Sequence, residues 1–331
     1  MCTFGEPALA LGHLLTAKSP SMNRPRYFEF FVLIASSVLV WWRFVVSDLK
    51  LALNSDAHTY ILLILPLSLG LIFLGKRELH SVVRPGWRSG AVIVGVALVL
   101  RLLIGWNVLH LSASGNLSLS IAILVGFWIG SVILCFGIPT LKTYLFALGL
   151  LFLLVPMPEH VVSWVTEFLQ QKSAVASTLL FRAVGVPVTR DDIMLSIPGL
   201  DIEVATECSS IRSSTILIVV TMILGQLFLR TWWRKTLLVL AAMVLAVAKN
   251  AVRIVTIAEL GSRVDPRYLD GDLHHQGGII FFALAVLGVV ALLWLLRKNE
   301  STLRESTPAA VHVLVTFRYS QSRRRLPRTK R

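Results

Sequence analysis

Long apolar runs separated by short polar breaks recur from residue 28 to residue 296. A helix crossing a bilayer needs about 20 apolar residues to span roughly 30 Å of hydrocarbon, because every backbone group must be satisfied within the segment. Eight segments qualify, the fifth of them short: Phe28 to Val46, Thr59 to Gly75, Ser89 to Trp106, Leu117 to Gly137, Thr143 to Val155, Ile211 to Leu229, Thr236 to Thr256 and Gly278 to Leu296. The pattern predicts an all-α, polytopic integral membrane protein with a long loop, 156–207, between the fifth and sixth spans.

The polar breaks sort into two sets. One carries Arg24 and Arg26, then Lys76, Arg77, Arg84 and Arg88, then Lys142, then Arg230, Arg234 and Lys235, and finally a basic C-terminus. Lys and Arg in short loops resist translocation, so this set is expected on the cytoplasmic side. The alternate set, from Asp48 to His58, Asn107 to Asn116, Pro156 to Glu207 and Glu259 to Gln276, is expected to face outward. Within the long outer loop, Val161, Trp164, Val165, Phe168 and Leu169 recur at helical spacing, interrupted by Gln170, Gln171 and Lys172. That stretch, Val161 to Ala183, predicts a helix suited to the bilayer surface. Ser196 to Val204, with Pro198 and Gly199 between alternating apolar positions, predicts a short hairpin.

Composition agrees with a membrane body: 55% of the 331 residues are hydrophobic and 15% charged, beyond what a soluble domain hides. The formal net charge of +14 invites a nucleic-acid reading, but it is not spread along one face or interleaved with aromatics. Ten basic residues stand against two acidic ones in 297–331, a tail expected to be cytoplasmic and drawn to the anionic lipid bilayer surface. No nucleic-acid partner is expected. The outer loop has the opposite balance, three basic residues against seven acidic ones. Residues 1–27 read as an N-terminal cytoplasmic segment, of which 1–21 read as an upstream extension ahead of a start at Met22. Residues 28–296 read as one membrane-embedded body, and no internal repeat stands out. Three cysteines, Cys2, Cys135 and Cys208, are too differently placed for a disulfide framework.

The orientation collects three polar features on the outer side. Cys208 precedes the sixth span in Glu207-Cys208-Ser209-Ser210-Ile211-Arg212. Arg253 ends the polar stretch Lys249-Asn250-Ala251-Val252-Arg253 of the seventh. His274 and His275 precede the eighth. A cysteine at a helix N-terminus lies near unpaired N–H groups and the positive end of the dipole, which favours the thiolate. Histidine can take and return the proton, and the guanidinium fork can hold an oxyanion or a carbonyl. Together these suit acyl transfer from a peptide bond. Each also has a plainer role: Cys135 fills an apolar run, Arg253 and Arg212 reach headgroups, and His58, His110 and His160 sit in interfacial turns. Asp270, Asp272, His274 and His275 are close enough to raise a metal site, but their spacing matches no familiar zinc motif. No cofactor or metal is expected.

At these places the sequence resembles the exosortase/archaeosortase family of membrane cysteine transpeptidases. The matches are Cys208-Ser209-Ser210-Ile211-Arg212-Ser213, Asn250-Ala251-Val252-Arg253-Ile254, and His274 ahead of Gly277 and Gly278. Val155-Pro156-Met157-Pro158 and Pro198 to Val204 extend the likeness. Ser210 stands where the family commonly has glycine, and His275 beside His274 is a second candidate. The resemblance implies Cys208 as nucleophile, His274 as proton-transfer partner and Arg253 as transition-state stabiliser, with His275, Arg212, Asn250 and Glu207 supporting. It implies a multi-pass enzyme of the bacterial inner membrane, acting on its outer face. Its partners would be secreted substrate proteins ending in a sorting signal: a short motif such as Pro-Glu-Pro, a transmembrane helix and a basic cluster. The thioester would pass to a surface acceptor. Two rival readings stay open: a transporter or channel with a polar path through Arg253, Lys249 and the histidines, and a hydrolytic membrane endoprotease using the same residues.

Overall fold

The computed structural model describes residues 24–75, 85–106, 110–204, 211–265, 267 and 278–305, without the side chains of 24, 25 and 299–305. Helices carry nearly all of it, as the apolar runs require. They are α1 (Arg24–Val40), α2 (Trp42–Asn54), α3 (Ile61–Leu74), α4 (Trp87–Gly105), α5 (Ala113–Phe136), α6 (Ile138–Thr143), α7 (Leu145–Leu150), α8 (Glu159–Ala183), α9 (Ile211–Phe228), α10 (Trp232–Arg263) and α11 (Gly278–Glu305). By length and composition, six helices among the described residues suffice to cross a membrane, or up to eight if each of two bent pairs counts as one span. Their outer faces are apolar: Leu39 is 76% and Leu287 64% exposed. Apolar exposure repeated along every long helix is the signature of a lipid solvent. The protein is a multi-pass membrane protein of the all-α class with one small sheet.

The chain divides into two compact units, residues 1–51 with 61–156, and residues 52–60 with 157–331. In the first, α5 packs between neighbours, burying Ile121, Leu124, Val125 and Phe127. Close approach to α4 is made possible by glycine. A Cβ at Gly90 would stand 2.4 Å from the backbone nitrogen of Leu134, and one at Gly130 would stand 2.8 Å from Ile93. Small residues of this kind let membrane helices touch backbone to backbone. The first expected span, Phe28 to Val46, is not straight: α1 and α2 meet at 75°. The break falls at Trp41, fully buried, with its ring 5.6 Å from that of Phe127. One turn before it, Ser37 accepts a hydrogen bond from Trp128 Nε1 at 2.9 Å. The short fifth span, Thr143 to Val155, is likewise interrupted, α7 tightening into the narrower turn Leu151–Leu154. Ser68 of α3 donates to the α7 carbonyl of Ala147 at 2.8 Å.

The second unit holds α8, a small sheet and α9 to α11. The expected helix over Val161 to Ala183 is present as α8. Its apolar side faces out, with Trp164 66% exposed. Gln170, Ser173, Ala174, Ser177 and Thr178 are turned inward. Polar residues inside and apolar ones outside are the arrangement expected when lipid is the solvent. The expected hairpin is β2 (Met194–Ile197) with β3 (Leu200–Glu203), turning at Gly199, whose φ is +84°. A further strand, β1 (Thr189–Asp191), pairs antiparallel with β2. Its three residues are all exposed, so it carries no apolar alternation for the sequence to reveal. The sheet buries Leu195, Ile197 and Val204 against Ala174 and Phe181 of α8 and Ile254, Val255 and Ala258 of α10. A second cluster, with Leu217 of α9, Leu238, Ala242 and Ala246 of α10, and Ala285, Val289 and Leu293 of α11, binds the three late helices together.

Candidate active site

The antiparallel register of α9, α10 and α11 sets which residues share a level. Ser213 of α9 lies opposite Lys249 of α10. Farther along the pair, a Cβ at Gly225 would lie 3.8 Å from Lys235 Cα. On the other flank, a Cβ at Gly288 of α11 would touch Leu245 at 3.4 Å, and Arg234 Nη1 donates to the carbonyl of Leu296 at 3.0 Å. Arg253 is one turn beyond Lys249, so it stands level with the start of α9. It is also about two turns beyond Leu245, as Gly278 is nearly three turns before Gly288. The half-buried Arg253 therefore occupies the level at which both α9 and α11 begin.

The polar groups around it are tied to one another. Lys249, buried, donates to Ser213 Oγ at 2.6 Å. Its neighbour Asn250, 1% exposed, donates from Nδ2 to Ser173 Oγ of α8 at 2.8 Å. One turn earlier on α8, Gln170 Nε2 donates to the carbonyl of Val204 at 2.8 Å. Four stretches, α8, α9, α10 and the exit from the sheet at Val204, are thus tied together by three side chains of α8 and α10. Buried polar groups persist only when paired, the more so away from water. Ser214, the next residue of α9, is buried too.

Of the expected site residues, Arg253 and Asn250 fall in this cluster. Arg212 does not point into it: its guanidinium reaches Asp56 Oδ1 at 3.3 Å in a pair whose side chains are 57% and 74% exposed. Such a pair contributes at most about 1 kcal/mol. Cys208, Glu207, His274 and His275 lie outside the described residues, as do Asp270 and Asp272. His58 lies in the expected turn, Asp56–His58, between α2 and α3. It is buried, with Nδ1 3.0 Å from Ser55 Oγ and Nε2 3.2 Å from the carbonyl of Met157. Sequence reasoning did not identify Gln170, Ser173 or Ser213 as part of the cluster. Gln170 and Ser173 stand out only as polar residues in a helical stretch, and Ser213 only as the last residue of the cysteine motif, neither of which names a partner.

The model of one protein family, described as transmembrane exosortase, matches residues 41–291 of the chain. Nothing among the curated proteins or the solved structures matches it.

Proposed function

Because the chain belongs to the transmembrane exosortase family, we propose that it is a cysteine transpeptidase that cuts a sorting signal from secreted proteins on the outer face of the membrane and passes them to a surface acceptor. The observation carrying this reading is the level of Arg253. Ile211, three residues after Cys208, and Gly278, four residues after His274, begin α9 and α11 near the level of that guanidinium. Cys208 is three residues from Ile211, a separation a chain covers with at most about 11 Å, and four from Val204, whose carbonyl Gln170 holds.

In this reading the Cys208 thiolate attacks the carbonyl carbon of the peptide bond beside the substrate's membrane helix. Negative charge develops on the carbonyl oxygen, where Arg253 donates hydrogen bonds. The carbon–nitrogen bond then breaks, the departing amine takes a proton from His274, and a thioester remains. An acceptor nucleophile surrenders its proton to the same imidazole, attacks the thioester and expels the thiolate. A substrate helix lying in the bilayer beside α9 to α11 brings its scissile bond to the level of Arg253 without a diffusional search.

The charge distribution supports the sidedness in this reading. The ends of α9, α10 and α11 remote from Arg253 carry a basic and aromatic rim, with Arg234 over Trp233 at 5.2 Å, Arg297 over Phe228 at 5.7 Å and Lys298 over Trp294 at 5.4 Å. The Lys and Arg of such a rim favour the cytoplasmic side, which supports an outward position for Arg253. The body 28–296 is then catalytic, with loop 156–207 outside and segments 1–27 and 297–331 cytoplasmic.

The test is replacement of Cys208 by alanine or serine in cells expressing a secreted protein with a C-terminal motif, membrane helix and basic cluster. Loss of processing is expected. Undiminished processing sinks the mechanism. Mass analysis of the wild-type product separates transfer, which leaves an adduct at the new C-terminus, from hydrolysis, which leaves a free carboxylate.

A further inference from the structure

Two adjacent residues of α10 anchor different partners at the same level: Asn250 holds α8 through Ser173, and Lys249 holds α9 through Ser213. The lysine is the unusual member. A lysine in a membrane helix ordinarily stretches its stem until the ammonium reaches headgroups. Lys249 is only 8% exposed and ends on a serine hydroxyl instead. The ion pairs among the described residues, Arg212 with Asp56 and Arg263 with Glu259, do not involve it.

The place where it ends makes this more unusual. Ser213 is in the first turn of α9, at the positive end of the helix dipole, where anions are favoured and cations are not. Lys249 adds positive potential to a point that already has it, with Arg253 one turn farther along the same helix. Joining cations to a helix N-terminus in a buried, low-dielectric setting is unfavourable by itself and becomes favourable when negative charge arrives. The reaction proposed above generates such charge, first as a thiolate and then as an oxyanion.

We propose that Lys249 is a positioning residue for the transfer reaction: through Ser213 it fixes the first turn of α9, and its charge completes the positive environment in which the anionic species is held. It acts on the start of α9 and touches no substrate atom. This inference rests on the reading of Cys208 as nucleophile. A residue that merely glued two helices together would need the hydrogen bond but not the charge, so the two roles separate by substitution.

The experiment measures kcat and KM for signal processing in membranes, for Lys249→Arg, Lys249→Gln, Ser213→Asp and Cys208→Ala beside the wild type. Lys249→Arg is expected to retain kcat. Lys249→Gln, which can still bond Ser213 but is neutral, is expected to lower kcat by about tenfold to a hundredfold with KM little changed. Wild-type kcat in Lys249→Gln, or a loss confined to KM, overturns the proposal. If Lys249→Gln fails to accumulate in the membrane, Ser213→Asp decides, because it keeps the link to Lys249 and cancels the charge: a fall in kcat at wild-type abundance supports the proposal and an unchanged kcat overturns it. Full processing by Cys208→Ala would instead remove the underlying cysteine reading. A cysteine-dependent reaction indifferent to Lys249→Gln would remove only this one.

Discussion

At the scale of single residues, Arg253 and Asn250 are neighbours on α10 with different duties. A guanidinium presents a planar fork of donors that an ammonium cannot copy. Arg253→Lys is therefore expected to lower kcat by roughly a hundredfold to a thousandfold. KM and membrane abundance should stay near wild type, as steady-state processing assays and immunoblots would read. Asn250 is buried and bonded to Ser173, so Asn250→Leu fills the space but leaves that hydroxyl without its donor. Loss of about 1–3 kcal/mol is expected, visible as a lower midpoint of thermal unfolding in detergent. An unchanged midpoint would show that the link between α8 and α10 contributes nothing.

At the scale of elements, the vulnerable contacts are those with no slack. The Cβ of a residue replacing Gly90 meets backbone of α5, which cannot rotate away as a side chain could. Gly90→Val should separate α4 from α5 at a cost of about 1–3 kcal/mol or more. Lower yield of folded protein after detergent extraction would report it. Gly199 is different, since a Cβ there meets nothing within 4 Å but the backbone is left-handed. Gly199→Val is expected to cost roughly 1–2 kcal/mol through strain alone. Because β2 and β3 cover α8 and α10, faster proteolysis of the 189–203 region should follow without loss of the membrane helices.

At the scale of the whole molecule, the question is which side each loop occupies. In a background of Cys2→Ser and Cys208→Ala, Asp192→Cys in the β1–β2 turn should react with a membrane-impermeant maleimide applied to spheroplasts. Arg230→Cys, between α9 and α10, should react only after permeabilisation. The reverse pattern would invert the topology and place Arg253 on the wrong face for secreted substrates. The sequence by itself determined that the chain is helical and crosses the membrane repeatedly, because a long apolar run in lipid must satisfy its own backbone. It also marked Arg253, Asn250 and Lys249 as polar exceptions within a span. Only the tertiary structure decided what those exceptions hold: Lys249 to Ser213, Asn250 to Ser173 and Gln170 to Val204 join residues far apart in the chain, and no local periodicity encodes such pairings. The break at Trp41, the burial of His58 and the inward-facing polar side of α8 belong with them, since each is fixed by a neighbouring element and not by the segment's own sequence.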